Sequence, residues 1–134
     1  MLTDEIKPAL QGGMPAMIAT CSIDGVPNAT VISEVYYVDA KHVALSYQFF
    51  NKTVRNVREN PFVSIGVSNR ADFRHWLLEA RYERSETEGP VFDAMDMQIE
   101  AIASMIGASG VFKLRAADIY EVTAVRELQI RLRP

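Results

Sequence analysis

The spacing of hydrophobic and polar positions changes several times along the chain, and each change predicts an element. Residues 3–11 carry helix signals. Thr3 can cap the start, Asp4 and Glu5 fall in the first turn, and Gly12-Gly13 stop it. Pro8 works against this helix by kinking it or delaying its start. Residues 15–23 alternate, with Met17, Ala19, Cys21 and Ile23 on one side and Ile18, Thr20 and Ser22 on the other. A period of two predicts a strand. Asp24-Gly25 predicts a hairpin turn. Residues 26–38, rich in Val, Ile, Thr and Tyr, predict one long strand; Asp39-Ala40-Lys41 is a tight connection and 42–48 a third strand.

Alternation then stops. Residues 51–60 predict a short helix capped by Asn51, with Val54 and Val57 on one face and Asn60-Pro61 as the stop. Residues 62–68 and 73–84 predict two more strands, the second with Trp76, Leu78, Ala80 and Tyr82 on one side. Thr87-Glu88-Gly89-Pro90 opens a longer helix. Its apolar residues Phe92, Met95, Ile99, Ile102, Ala103 and Ile106 recur at helical spacing, and Gly107 and Gly110 close it. A last strand covers about 111–125. Residues 126–134 read as a helix start, a linker or a frayed end. Six antiparallel strands with short links predict a mainly β domain, a small closed or partly closed barrel with flanking helices, spanning 1–134 as one unit.

A composition of 49% hydrophobic and 23% charged residues fits that reading. The net charge of −3 and pI near 5.4 argue against a nucleic-acid binder, which normally carries a basic excess or stripe; an anionic partner is expected to be small and locally bound. No apolar run approaches the roughly 20 residues of a membrane span. The N-terminus has no secretory pattern and Cys21 is the single cysteine, so a cytoplasmic protein is expected.

Common catalytic sets are missing. His42 and His75 read as surface or edge histidines, and Cys21 as an inert strand residue. No nucleophile elbow, P-loop or dinucleotide fingerprint occurs. Met95, Met97 and Met105 read as core or interface packing. One stretch does carry a signal: Ser46-Tyr47-Gln48-Phe49-Phe50-Asn51-Lys52-Thr53, where a strand ends, a loop turns and a helix begins. The first N–H groups of a helix lack internal partners, and its dipole makes that end positive. A phosphate there would gain those donors, the Lys52 ammonium, the Thr53 hydroxyl and Asn51. The plainer alternative is a cap followed by a solvated first turn.

The surrounding pattern resembles the pyridoxamine 5'-phosphate oxidase-like FMN-binding split-barrel family. Lys52-Thr53, Asn56 and Asn60-Pro61 match its phosphate-binding helix, and Thr87-Glu88-Gly89-Pro90 with Phe92 its later helix entry. The strand Asn28-Ala29-Thr30-Val31-Ile32-Ser33 looks like the one lying along the isoalloxazine ring. The resemblance spans about the first 125 residues and implies a six-stranded split β-barrel with FMN as cofactor. It implies a site built from Thr30, Val31, Ile32, Ser33, Ser46, Gln48, Asn51, Lys52 and Thr53. The chain departs from the true oxidases in having no Lys or Arg between 26 and 40, Asn51 in place of an arginine, and no C-terminal substrate-binding Arg/His pattern. A flavin-dependent oxidoreductase with a different substrate is therefore expected. A non-catalytic sensory module, like the split barrels fused to GAF domains, is the alternative; F420 or haem in place of FMN ranks lower. A barrel this small fills its own interior, so the ligand must lie in a groove that a second subunit can wall off. Trp76, Tyr82 and the last helix could cover such a homodimer interface or equally be core.

Overall fold

The computed structural model describes residues 1–10, 15–32, 34–46, 51–107, 110 and 113–129. Strands β1 (Ala16–Cys21), β2 (Pro27–Ile32), β3 (Val35–Asp39) and β4 (His42–Ser46) precede helix α1 (Asn51–Glu59). Then follow β5 (Phe62–Ser68), β6 (His75–Glu86), helix α2 (Pro90–Met105) and β7 (Ala117–Leu128). The seven strands among the described residues join one antiparallel sheet in the order β2-β1-β5-β6-β7-β4-β3. The split-barrel expectation holds, with seven strands rather than six. The long strand predicted over 26–38 is divided after Ile32, and its halves become the two edges of the sheet.

Other boundaries moved for local reasons. The leading helix shrinks to a 3-10 turn, Lys7–Leu10, because Pro8 has no N–H to extend an α-helix. The last strand runs to Leu128, so residues 126–128 of the supposed tail are paired with β6. Asp24-Gly25 does form the β1–β2 turn, with Gly25 at φ 85°. No helix among the described residues is long and apolar enough to cross a membrane.

Two apolar clusters hold the sheet. Inside its curve lie Ile18, Ile32, Val43, Leu45, Val63, Ile65, Trp76, Leu78 and Val122, closed at one end by Ile6 and Leu10 of the N-terminal turn. A fully buried side chain such as Leu78 contributes about 1.5–3 kcal/mol by leaving water. Trp76 is thus core rather than interface surplus. The second cluster lies on the opposite face of β4 and β7, where Met95 and Ile99 of α2 cover Ala44, Ala117 and Ile119. Of the helix methionines only Met95 is buried; Met97 and Met105 are exposed.

Candidate active site

Helix α1 is positioned by polar contacts. Its inward residues are Thr53, Asn56 and Val57, at the i, i+3, i+4 spacing of one face. Two of these three are polar, and each has a partner in the sheet. Asn28 Nδ2 of β2 donates to Thr53 Oγ1 at 3.2 Å, and Asn56 Nδ2 donates to Thr20 Oγ1 of β1 at 3.1 Å. The helix ends where Asn60 N–H bonds the Asn56 carbonyl at 2.7 Å and Pro61 forbids continuation. Asn56 therefore docks the helix. The sequence marks it as part of a motif; only the structure shows this structural task.

A cleft of about 300 Å3 opens between α1 and the inner face of the sheet. Ile18, Ile32 and Leu45 give it an apolar wall, and Thr53, Val54, Val57 and Arg58 line it from α1. On the far side stand Tyr82, Ser85, Asp118 and Tyr120, with Arg115 at hand. The two tyrosine rings meet edge to face, centroids 5.5 Å apart. The Tyr82 and Ser85 hydroxyls are hydrogen-bonded, and Ser85 Oγ donates to Asp118 Oδ1 at 2.6 Å. Burial raises the Asp118 carboxyl above its ordinary pKa, while the Ser85 bond and the Arg58 charge pull the other way. Burial likewise raises the Tyr120 phenol, which stays protonated.

Of the residues expected at a flavin site, the structure brings Ile32, Ser46 and Thr53 together on this cleft. Thr30 is half-buried and, by strand alternation, shares the inner face of β2 with Asn28 and Ile32. Val31 points to the outer face and is exposed. Lys52 is exposed in the first turn of α1 and does not line the cleft. The helix begins at Asn51, so Asn51 belongs to that turn rather than capping it from outside; its side chain, with Ser33 and Gln48, lies outside the described residues. Cys21 ends β1 and is half-buried. Arg58, Ser85, Arg115 and Asp118 went unseen in the sequence, because no spacing rule links residues that meet across α1, β6 and β7.

The split sheet thus carries a polar-anchored helix beside a partly apolar cleft. The family model for pyridoxamine 5'-phosphate oxidase matches residues 2–123, and the chain belongs to that family. An uncharacterized protein of Methanocaldococcus jannaschii is 28% identical over 124 residues, covering 90% of this chain and 80% of its own. Among solved structures, HupZ of Group A Streptococcus is 25% identical with a TM-score of 0.72, covering 96% of this chain and 95% of its own. An FMN-binding protein from Syntrophomonas wolfei is 14% identical with a TM-score of 0.77, covering 96% and 87%. The fold is also that of an F420 reductase (14% identical, TM-score 0.67, covering 93% and 98%) and of the heme storage protein HutZ from Vibrio cholerae (17%, 0.61, covering 93% and 93%).

Proposed function

We propose that the chain binds FMN and works through it as an oxidoreductase whose substrate differs from pyridoxamine phosphate. The observation that carries this reading is the first turn of α1. The turn itself contains no acidic residue, Lys52 is exposed there, and the Thr53 hydroxyl is held by Asn28. Because Thr53 accepts that bond, its own proton remains free to donate to a phosphate oxygen. These groups fit a phosphate, and the turn's backbone N–H groups add to them. β2 is an edge strand, so alternate backbone groups along Thr30, Val31 and Ile32 lack a strand partner and suit the polar edge of a ring system. Bound flavin supplies hydride or single-electron transfer. The chain's own residues would orient a substrate: Arg58 and Arg115 give an anionic group its partners, and the Tyr82–Ser85–Asp118 chain offers hydroxyl donors beside it.

FMN is favoured over haem because no histidine lines the cleft among the described residues. A homodimer is part of the proposal. On the outer face, Val31, Met17 and Gly66 stand in register on neighbouring strands, and the two large side chains are exposed. A second copy covering this row would wall the edge-strand site.

Lys52→Ala tests the phosphate assignment. It should weaken FMN binding by about 1.5–3 kcal/mol, the worth of a charged hydrogen bond, and leave riboflavin binding unchanged. An unaltered FMN dissociation constant by fluorescence titration would refute it. Stoichiometric flavin that no pyridine nucleotide or other reductant turns over would instead favour the sensory module.

A further inference from the structure

On the outer face of the sheet, three adjacent strands gather one imidazole and two carboxylates. His42 opens β4 and stands opposite Glu121 of β7. Val43 and Tyr120, their neighbours along the strands, face the inner cluster, so His42 and Glu121 point away from the cleft. Glu83 arrives through a bulge in β6: Tyr82 pairs with Tyr120 and Arg84 with Ile119, leaving Glu83 as the extra residue. Bulges re-aim side chains in this way. One ligand atom from each of His42, Glu83 and Glu121 lies within 4.8 Å of the other two, and all three residues are half-buried.

The surroundings aim the three ligand atoms at one another, with His42 Nε2 and Glu83 Oε1 bonded directly. Asp39 Oδ1 holds His42 Nδ1 at 2.8 Å and is itself fixed by the Lys41 N–H at 2.8 Å. His42 Nε2 therefore faces the glutamates, 3.2 Å from Glu83 Oε1, while Glu83 Oε2 is taken by Arg84 at 2.8 Å. A carboxylate on the far nitrogen is how metal-binding histidines are commonly oriented.

We propose that His42, Glu83 and Glu121 bind a divalent transition ion of the zinc type, with Asp39 as the positioning residue for the imidazole. Ligand atoms around tetrahedral zinc stand roughly 3.4 Å apart for bonds near 2.1 Å, close to the His42–Glu83 separation. Glu121 completes the set by turning about its side-chain torsions. Three protein ligands leave a fourth position for water. The imidazole argues for a borderline ion over calcium or magnesium, which take oxygen ligands. Three carboxylates outweigh the nearby cations, Arg84 and Arg81, the latter opposite Glu121 in register.

The competing arrangement is an imidazolium bridging Asp39 and Glu83. It has no use for Glu121, and that difference is the test. Tag-free full chain is titrated with zinc chloride by calorimetry near neutral pH. The expected result is saturable one-to-one binding with proton release, seen as buffer-dependent heat. Glu121→Gln, which keeps the side-chain shape, should weaken it at least about 10-fold, and Asp39→Asn by about 10–100-fold. His42→Gln should abolish it, whereas Cys21→Ser and His75→Gln leave it unchanged. A zinc-induced shift of the His42 Nε2 resonance gives a readout independent of affinity. Absence of saturable binding overturns the site, as does a Glu121→Gln variant that binds like the unmodified protein. Equal melting temperatures without zinc show that the variants are folded.

Discussion

The two helices are held to the sheet by opposite means. Beneath α2 the contact is dry: Met95 and Ile99 against Ala44, Ala117 and Ile119. The α1 side carries the buried polar side chains, Thr20, Thr53 and Asn56, and Glu34 lies just past the end of β2. Burying a polar group costs free energy unless it is bonded, and Thr20, Thr53 and Asn56 are. Apolar contact tolerates small slips, whereas a hydrogen bond fixes distance and direction. The helix beside the cleft is thus fixed in position, and the helix on the other face serves as a cover.

Three perturbations sharpen this contrast. The largest effect is expected at Met95, which is fully buried. Met95→Ala should cost about 2–5 kcal/mol in urea unfolding, with the proposed affinity for FMN unchanged. A coupled loss of affinity would mean that α2 also shapes the cleft.

Next is Glu34, only 2% exposed, with neither carboxylate oxygen hydrogen-bonded among the described residues. Burial pushes its carboxyl up to about 7 from an ordinary 4.5. The folded state then holds the proton that the unfolded chain releases, so stability is full below the ordinary value and falls as pH rises through that window. At about pH 8 the loss is of order 3 kcal/mol. Glu34→Gln should flatten this part of the stability–pH profile. Parallel profiles for the two proteins would show that Glu34 does not titrate in this range.

The smallest is Asn56→Ala. It leaves the buried Thr20 hydroxyl without its donor and should cost about 1–3 kcal/mol. Unlike Met95→Ala, it should also weaken FMN binding, because it loosens the helix that presents Lys52 and Thr53. Calorimetric titration of both variants makes the comparison, and equal affinities would erase the distinction between the two helices.

Much of the fold was legible because local signals agreed with the tertiary structure. Period-two alternation marked β1, β5 and β6, and Asp24-Gly25 marked a turn that glycine's positive φ makes possible. The long helix was readable from Met95, Ile99 and Ala103, which are its buried residues. The break between β2 and β3 was not readable, since Val, Ile and Tyr continue past Ser33-Glu34 and no Gly or Pro marks it. Nor was Glu34's burial, because a glutamate in an apolar stretch reads as the solvent-facing half of an alternation.

The site divides the same way. Lys52-Thr53 at a helix start was visible as a local pattern, and of the candidate residues Ile32, Ser46 and Thr53 line the cleft. Ile32 and Val31 show the limit: the sequence places both on one strand, but only the burial of one face tells that the Ile32 side chain lines the cleft while that of Val31 turns outward, leaving Val31 its backbone groups alone for the site.

By itself, then, the sequence determined what depends on neighbours along the chain: the element types, most turns, and the residues of the α1 first turn. Periodicity and capping act over a few residues, so they can be read in order. Only the tertiary structure decided which face of each strand is inward, that Asn28 and Asn56 anchor α1, that Tyr82, Ser85 and Asp118 form one hydrogen-bonded chain, and that a bulge sets Glu83 beside His42. These pairings join residues 25 to 41 positions apart in the cases of Asn28–Thr53, Ser85–Asp118, Asn56–Thr20 and His42–Glu83. They arise from strand register and sheet order, which are settled by the burial of the whole sheet.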